Sequence, residues 1–280
     1  KISSPSNFTM SSYVITGASR GLGFAFLKEF SSNPNNTVIG LARNASALKE
    51  KVASELPGRS NIHVFAADLT NYEDFKTAAE QTSAVTGGAV DYLVANAASV
   101  SSNEEYNPLG DLPVLTAAES LRNSVEVNVI GNMYFISAFL PLILKGKVKK
   151  IISLSTGMAD IDLINGYDIE ISAMYAASKA ALNVIIAKYN VQYKKQGVLF
   201  LSYSPGVVDT GNFDASTLTP EQLQRLQTMF GGFAKYAPNF AGPVPTEVAV
   251  KQAVEVWENA SLEKGDGGAF ISHLGNRQWL

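Results

Sequence analysis

Tyr13-Val14-Ile15-Thr16-Gly17-Ala18-Ser19-Arg20-Gly21-Leu22-Gly23, with the apolar run Phe24 to Phe30 behind it, decides the fold. Tyr13 to Ile15 is a short apolar strand ending at Thr16. Phe24-Ala25-Phe26-Leu27-Lys28-Glu29-Phe30 reads as a helix. Between them lie three glycines spaced Gly-x-x-x-Gly-x-Gly. Gly17 and Gly21 permit tight backbone turns, and Gly23 permits close contact between helix and strand. The first turn of the helix then offers unbonded N–H groups to a phosphate. Strand, glycine turn and helix in this order predict a dinucleotide site, with Gly17, Ser19, Arg20, Gly21, Leu22 and Gly23 in contact with the cofactor.

Outward from this unit the pattern repeats. Thr37 to Ala42 is a second strand. At its end, where an acidic residue would bind the two ribose hydroxyls of NAD, stands Ala42-Arg43-Asn44. A guanidinium suits a 2′-phosphate, so Arg43, with Arg20 as a second cation, favours NADP over NAD. Ser46 to Leu56 reads as a charged helix and Ile62 to Ala66 as a third strand, ending at Asp68-Leu69. His63 alternates with apolar neighbours and is given no role. Asn71 to Val85 is a helix, and Asp91 to Ala95 is a fourth strand, ending at Asn96-Ala97-Ala98. Strands alternating with helices at these spacings predict a parallel sheet covered on both faces.

Ser99 to Pro113 reads as a polar loop, and Thr116 to Leu144 as one long helix. Asn128 and Gly131 are poor helix residues inside it, and Asn128 is a candidate for a distortion that exposes a backbone carbonyl. Val148 to Leu154 is a fifth strand, ending at Ser155-Thr156-Gly157. Ligands of such sheets bind beyond the C-terminal strand ends, which puts both hydroxyls on the reactive side. Met158 to Ser172 is expected to be a loop with several apolar residues. An alanine-rich helix follows, with Tyr175 and Lys179 four residues apart on one face. An ammonium near a phenol is expected to lower its pKa and make it a usable proton donor and acceptor. Gly197 ends that helix. Val198 to Tyr203 is a sixth strand, followed by Ser204-Pro205-Gly206-Val207-Val208-Asp209-Thr210. Residues 210–245 read as a lid with a short helix from Pro220 to Thr228 capped by Thr219. It carries Phe213, Met229, Phe230, Phe233, Tyr236 and Phe240. A last helix, Thr246 to Glu258, is expected to be capped by Thr246, and Gly267 to Ile271 is a seventh strand.

The 280 residues, 46% of them hydrophobic, suffice for one large α/β domain with a sizeable core. The net charge is −3, with no basic run, so no nucleic-acid partner is expected. With no cysteine and only two histidines, disulfides, thiolate catalysis and cysteine-bound zinc are excluded and a histidine metal site is not expected. No apolar run approaches the roughly 18 residues of a membrane span, and no membrane partner is expected. Residues 1–12 are polar and Ser-rich without the apolar core of a signal peptide. They are expected to be a flexible extension, with Met10 a candidate native start, ahead of a single domain over 13–280. The expected location is cytoplasmic.

Jointly, Thr16-Gly17-Ala-Ser-Arg-Gly21-Leu-Gly23, Asp68-Leu69, Asn96-Ala97-Ala98, Asn128, Ser155-Thr156, Tyr175-x-x-x-Lys179 and Pro205-Gly206-Val-Val-Asp-Thr210 resemble the short-chain dehydrogenase/reductase family over nearly the whole chain. The flavour is that of fungal NADP-dependent, carbonyl-reductase-like members. The resemblance implies a Rossmann-type doubly wound α/β fold with a mainly seven-stranded parallel sheet. It implies a catalytic set of Asn128, a strand-end hydroxyl, Tyr175 and Lys179. Tyr175 would protonate the carbonyl oxygen while the nicotinamide delivers hydride. Lys179 would bind the nicotinamide ribose, and Asn128 would support a water linking Lys179 to solvent. Asp68 and Leu69 would contact adenine, and Asn96 and Ala97 would line the cofactor. Thr210, after Pro205, Gly206 and Val208, would hold the carboxamide. Where the family has Ile-Ser-Ser this chain has Leu154-Ser155-Thr156. By register Thr156 takes the catalytic position, with Ser155 as the alternative. The implied function is NADPH-dependent reduction of a ketone or aldehyde of a largely apolar small molecule. An NADP(H)-binding redox sensor and a non-redox epimerase or cyclase are the rivals. Family relatives form dimers or tetramers, and a homodimer or homotetramer is the implied assembly.

Overall fold

The computed structural model describes residues 10–102, 104–211 and 214–280. Residues 1–9, most of the expected extension, and Phe213 lie outside the described residues. The first strand, β1, spans Ser12–Thr16. The Ser11 N–H donates to the Asn36 side chain at 3.2 Å, and the Ser12 N–H to Asp91 at 2.9 Å. Both serines are buried, so the sheet begins inside the stretch expected to be an extension.

The remaining strands of the main sheet are β2 (Thr37–Ala42), β3 (Ile62–Ala66), β4 (Tyr92–Ala95), β5 (Lys150–Leu154), β6 (Leu199–Ser204) and, last in the chain, β9 (Phe270–Ser272). Seven strands in the order β3-β2-β1-β4-β5-β6-β9 pair in parallel throughout. This is the expected doubly wound sheet. Adjacent residues turn to opposite faces. Ile15 joins the core under α1 (Gly21–Phe30) and α9 (Thr246–Asn259). Its neighbour Val14 joins the second core, under α3 (Tyr72–Thr86), α5 (Gly131–Ile143) and α7 (Ala173–Tyr193). With both faces covered, the strands need no polar alternation. The helix α2 (Ala45–Glu55) follows β2, capped by Asn44.

The long helix expected from Thr116 is continuous from Val114 but not uniform. It runs as α4 (Val114–Val125), a π-helical turn (Glu126–Ile130) and α5. The distortion is centred on Asn128, as its poor helix propensity predicts. Over Val114–Ile143 this helix is long and apolar enough to cross a membrane, contrary to the sequence expectation, and its buried apolar residues belong to the core. A Cβ on Gly131 would lie 2.6 Å from the Leu69 carbonyl oxygen, so only glycine lets the end of β3 approach this helix.

Three further expectations need correcting. The segment 158–172 is not all loop: α6 (Ile161–Gly166) forms within it, and the Asp160 side chain accepts from the Asp162 N–H at 2.9 Å. The helix α8 (Pro220–Tyr236) begins at Thr219 in a capping box but continues well past Thr228. Gly231 and Gly232 do not punctuate it. A Cβ on Gly232 would stand 2.3 Å from the Tyr167 carbonyl oxygen, so this glycine serves helix contact. Finally, α9 has Pro245 at its cap position, and the Thr246 hydroxyl donates to Glu247 instead. A small second sheet pairs β7 (Val208–Asp209) with β8 (Val244–Pro245) and closes the base of the 210–245 segment. Within that segment Phe230, Phe233 and Phe240 pack on one another with ring centroids 5.8–6.1 Å apart.

Candidate active site

The glycine turn is a shaped cradle. Gly17 and Gly21 have φ of +68° and +53°, the left-handed region that favours glycine. A Cβ on Gly23 would lie 2.1 Å from the Gly17 carbonyl oxygen. Arg20 stands at the cap of α1 and gives it no side-chain cap. The turn is braced from β4. The Asn96 side-chain amide donates to the Thr16 carbonyl at 2.9 Å, and the N–H groups of Asn96 and Ala97 both donate to the Thr16 hydroxyl at 3.1 Å. Asn96 therefore holds the turn's shape, and Ala97 lies against Gly17.

Cations gather at the end expected to hold the adenosine. Ser19, Arg20 and Arg43 are exposed, and Leu22 is half-buried behind them. Lys51 on α2, not singled out from the sequence, donates from Nζ to the Ser19 carbonyl at 3.2 Å and sits 4.2 Å over the Phe24 ring. Asp68 accepts from the N–H and hydroxyl of Thr70. Those bonds, with the Arg43 charge, hold its carboxyl below the usual range. Leu69 lies over Gly131. At the other end, Gly206 turns with φ +75° after Pro205, and Val208 enters β7. A Cβ on Gly21 would touch Thr210 at 3.3 Å, so the Pro205–Thr210 loop closes onto the glycine turn. The same test places the His273 ring 3.1 Å from Gly206.

The two strand-end hydroxyls differ. Ser155 is 4% exposed, and its Oγ is buried without a partner. Thr156 is half-buried, and its Oγ1 accepts from the Met158 N–H at 3.2 Å. Gly157, next in line, is pressed by Trp279, whose Cβ would be 2.6 Å from a side chain there. Trp279 is held in turn by its indole N–H to Asp160 at 2.9 Å, and by its backbone N–H to the Tyr236 hydroxyl at 3.0 Å.

Lys179 is 1% exposed and donates from Nζ to the Leu154 carbonyl at 2.7 Å. Its Nζ lies 5.7 Å from the centre of the Tyr175 ring. The expected lowering of the phenol is not found. Burial raises Tyr175 to about 12 and lowers Lys179 to about 8, because a poorly solvated site disfavours both charged forms. Tyr175 keeps part of its surface exposed. At neutral pH it is a protonated phenol beside a cation.

Asn128 is fully buried. Its Oδ1 accepts from the Ser99 N–H at 2.7 Å, and its Nδ2 donates to the Ser99 carbonyl at 2.9 Å and to the Ser178 hydroxyl at 3.0 Å. The carbonyl freed by the π turn is not left open: Asn132 donates to it at 2.8 Å, taking one lone pair. Asn132 and Ser178 were missed from the sequence. Their signal was a second asparagine four residues after the first in an apolar helix, and a serine beside Lys179. Met158, Ile161, Ile164, Ile169 and Ile171 line a cavity of about 410 Å³ with Ala173, Ala176, Ala177 and Ala180. At helical spacing Ala173 and Ala177 turn away from Tyr175 and Lys179, whereas Ala176 is the neighbour of Lys179 one turn before it.

Glycine cradle, strand-end hydroxyl and the Tyr175–Lys179 pair occur together at the C-terminal edge of one parallel sheet, where such folds bind ligands. Residues 12–221 match the short chain dehydrogenase family. The chain belongs to that family. Short-chain relatives include virK of Hypocrea virens, 52% identical over 97% of this chain and all of that one. A second is iacC of Pestalotiopsis fici, 50% identical over the same shares. In fold the chain is similar to an NADPH-bound carbonyl reductase from chicken fatty liver, with TM-score 0.74 and 22% identity over 95% of this chain and 98% of that one. The Sniffer carbonyl reductase of D. melanogaster gives 0.74 at 21%, over 96% and 98%. The chain is thus an oxidoreductase of the short-chain type using a nicotinamide cofactor.

Proposed function

We propose that this short-chain dehydrogenase is an NADPH-dependent reductase acting on a ketone or aldehyde, with alcohol oxidation as the reverse reaction. The observation that carries this reading is the Tyr175 phenol ring held with its centre 5.7 Å from the buried Lys179 Nζ. A protein that only bound the cofactor would have no use for such a pair. The residues suit NADP(H): Gly17 and Gly21 turn the backbone at positive φ, Gly23 packs too closely for a side chain, the first turn of α1 has no side-chain cap, and Arg20, Arg43 and Lys51 supply positive charge. When bound, the dihydronicotinamide supplies the hydride. Gly17, Gly21 and the α1 N-terminus would hold the pyrophosphate, Arg43 and Arg20 a 2′-phosphate, Asp68 and Leu69 the adenine. The Pro205–Thr210 loop would hold the carboxamide.

Tyr175 donates its proton to the carbonyl oxygen, and Lys179 stabilises the phenolate left behind. Thr156, the more exposed hydroxyl, polarises the same oxygen, while Ser155 stays buried just past the end of β5. Asn128 holds the post-β4 loop against α7 through Ser99 and Ser178. The proposed substrate carries its carbonyl on a largely apolar body, which the apolar cavity between residues 158–171 and α7 suits. The test is NADPH absorbance with a broad panel of ketones and aldehydes. Oxidation of NADPH with at least one is expected. Tight NADPH binding with no turnover across the panel would point to the redox sensor.

A further inference from the structure

Glu104 lies in the stretch after β4 that reads as a polar loop, yet it is 0% exposed. Its two carboxylate oxygens accept the N–H of Met174 at 2.6 Å and of Tyr175 at 2.9 Å. These amides belong to the first turn of α7 and have no partner inside the helix. A cap residue's own side chain ordinarily serves them. Ser172 stands at that position and is a good capping type. Its backbone has φ +59° and ψ 38°, and its hydroxyl donates instead to the Glu105 carbonyl at 2.9 Å. Its N–H donates to the Glu104 carbonyl at 3.1 Å, and Pro108 bridges Ile171 alongside. The first turn of the catalytic helix is thus capped by a carboxylate distant in sequence.

Burying a carboxylate is costly unless it is well bonded. Burial therefore raises the Glu104 carboxyl above its usual range, and the two backbone bonds offset only part of that cost, with the positive end of the helix beside them. The arrangement also closes a circuit around Tyr175. Its N–H goes to Glu104, and its carbonyl accepts from the Ser178 hydroxyl at 2.7 Å. The Ser178 oxygen accepts from Asn128, and Asn128 is bonded twice to Ser99. Ser99 and Glu104 sit on the same loop, so the circuit returns to its start. That loop also carries Asn107 and Asp111, both bound by Arg225 of α8.

We propose that Glu104 is a positioning residue that sets the place of the Tyr175 phenol and couples it to the loop between β4 and α4. It acts through the Tyr175 backbone, and this rests on Tyr175 being the proton donor. Contacts that shift the loop, from substrate or from α8, then reach the phenol directly.

Glu104→Gln tests this, because an amide keeps one acceptor and turns an N–H₂ toward one of the two backbone amides. The expected kcat falls about tenfold, the loss a small misplacement of a reacting group produces. The KM for NADPH is unchanged, and the solvent deuterium isotope effect on kcat rises as proton transfer slows. A merely structural role would lower the yield of folded protein and leave both readouts, per NADPH-titrated site, at wild-type values. Glu104→Asp keeps the charge and shortens the reach. It is expected to show a smaller kcat loss with the same rise in isotope effect, and it decides the matter if the Gln variant does not fold. Wild-type kcat and isotope effect in a folded variant overturn the inference. Tyr175→Phe run in parallel separates the two claims. Full turnover there removes the Tyr175 assignment itself. An inactive Tyr175→Phe beside a wild-type-like Glu104 variant removes only the role of Glu104.

Discussion

The cofactor half and the catalytic half of this site are built in different ways. In the first, β1, the glycine turn and α1 are consecutive: Gly17 and Gly21 turn the backbone, Gly23 admits close contact, and Asn96 only braces the turn so made. In the second, the shape comes from side chains reaching across the chain: Glu104 to Tyr175, Asn128 to Ser178, and Asp160 to Trp279. Local geometry makes a cradle that a short motif can encode. A proton-transfer site needs groups placed more finely than one helix allows, and long-range bonds supply that placement.

The contrast can be broken most severely at Tyr175. Tyr175→Phe is expected to lower kcat about a thousandfold, within the range for a general acid, while the NADPH dissociation constant measured by fluorescence titration stays near wild type. Parallel loss of cofactor binding would show that the two halves are not separable. Next comes the hydroxyl pair. Thr156→Ala is expected to lower kcat about a hundredfold, the effect of losing one oxyanion donor, and Ser155→Ala to leave it within about threefold. The reverse ranking in steady-state assays would move the catalytic hydroxyl to the buried serine.

The third test is pH. Lys179 is lowered to about 8, so it is cationic below that pH and neutral above it. Only the cation stabilises a developing phenolate, so kcat/KM for reduction is expected to fall on the alkaline side of about pH 8, approaching tenfold per pH unit. A profile flat to pH 10 would dismiss Lys179 as the titrating group. The smallest effect is expected in the cofactor half. Arg43→Asp should lower the NADPH-to-NADH ratio of kcat/KM about tenfold, the scale of one exposed charge-assisted contact. An unchanged ratio would leave Arg20 and Lys51 as the cations that matter.

The sequence expectations divide along the same line. The seven parallel strands, the distortion at Asn128 and the Tyr175–Lys179 spacing were all legible, because each depends on periodicity or on one residue's backbone preference. The helix expected to stop at Thr228 runs on through Gly232, whose reason for being glycine is the Tyr167 carbonyl on another element. Ser172 has the residue type of a helix cap but does not serve as one. The direction of the Tyr175 shift was also misread. Proximity of a cation was visible, whereas the burial that outweighs it exists only once the core has closed.

The joint motifs carried the resemblance to the family, and the order of strands, glycines and helices by itself determined a doubly wound sheet with a glycine turn after its first strand. Those features follow from torsional freedom and hydrophobic periodicity, which act within a few residues. Tertiary structure alone decided that a buried Glu104 caps the helix of Tyr175. It also decided that Asn96 braces the turn, that Ser155 is buried where Thr156 is only half-buried, and that a tryptophan from the far end of the chain braces the strand end. Those depend on desolvation and on bonds between distant segments, and neither has a signature in a local stretch of sequence.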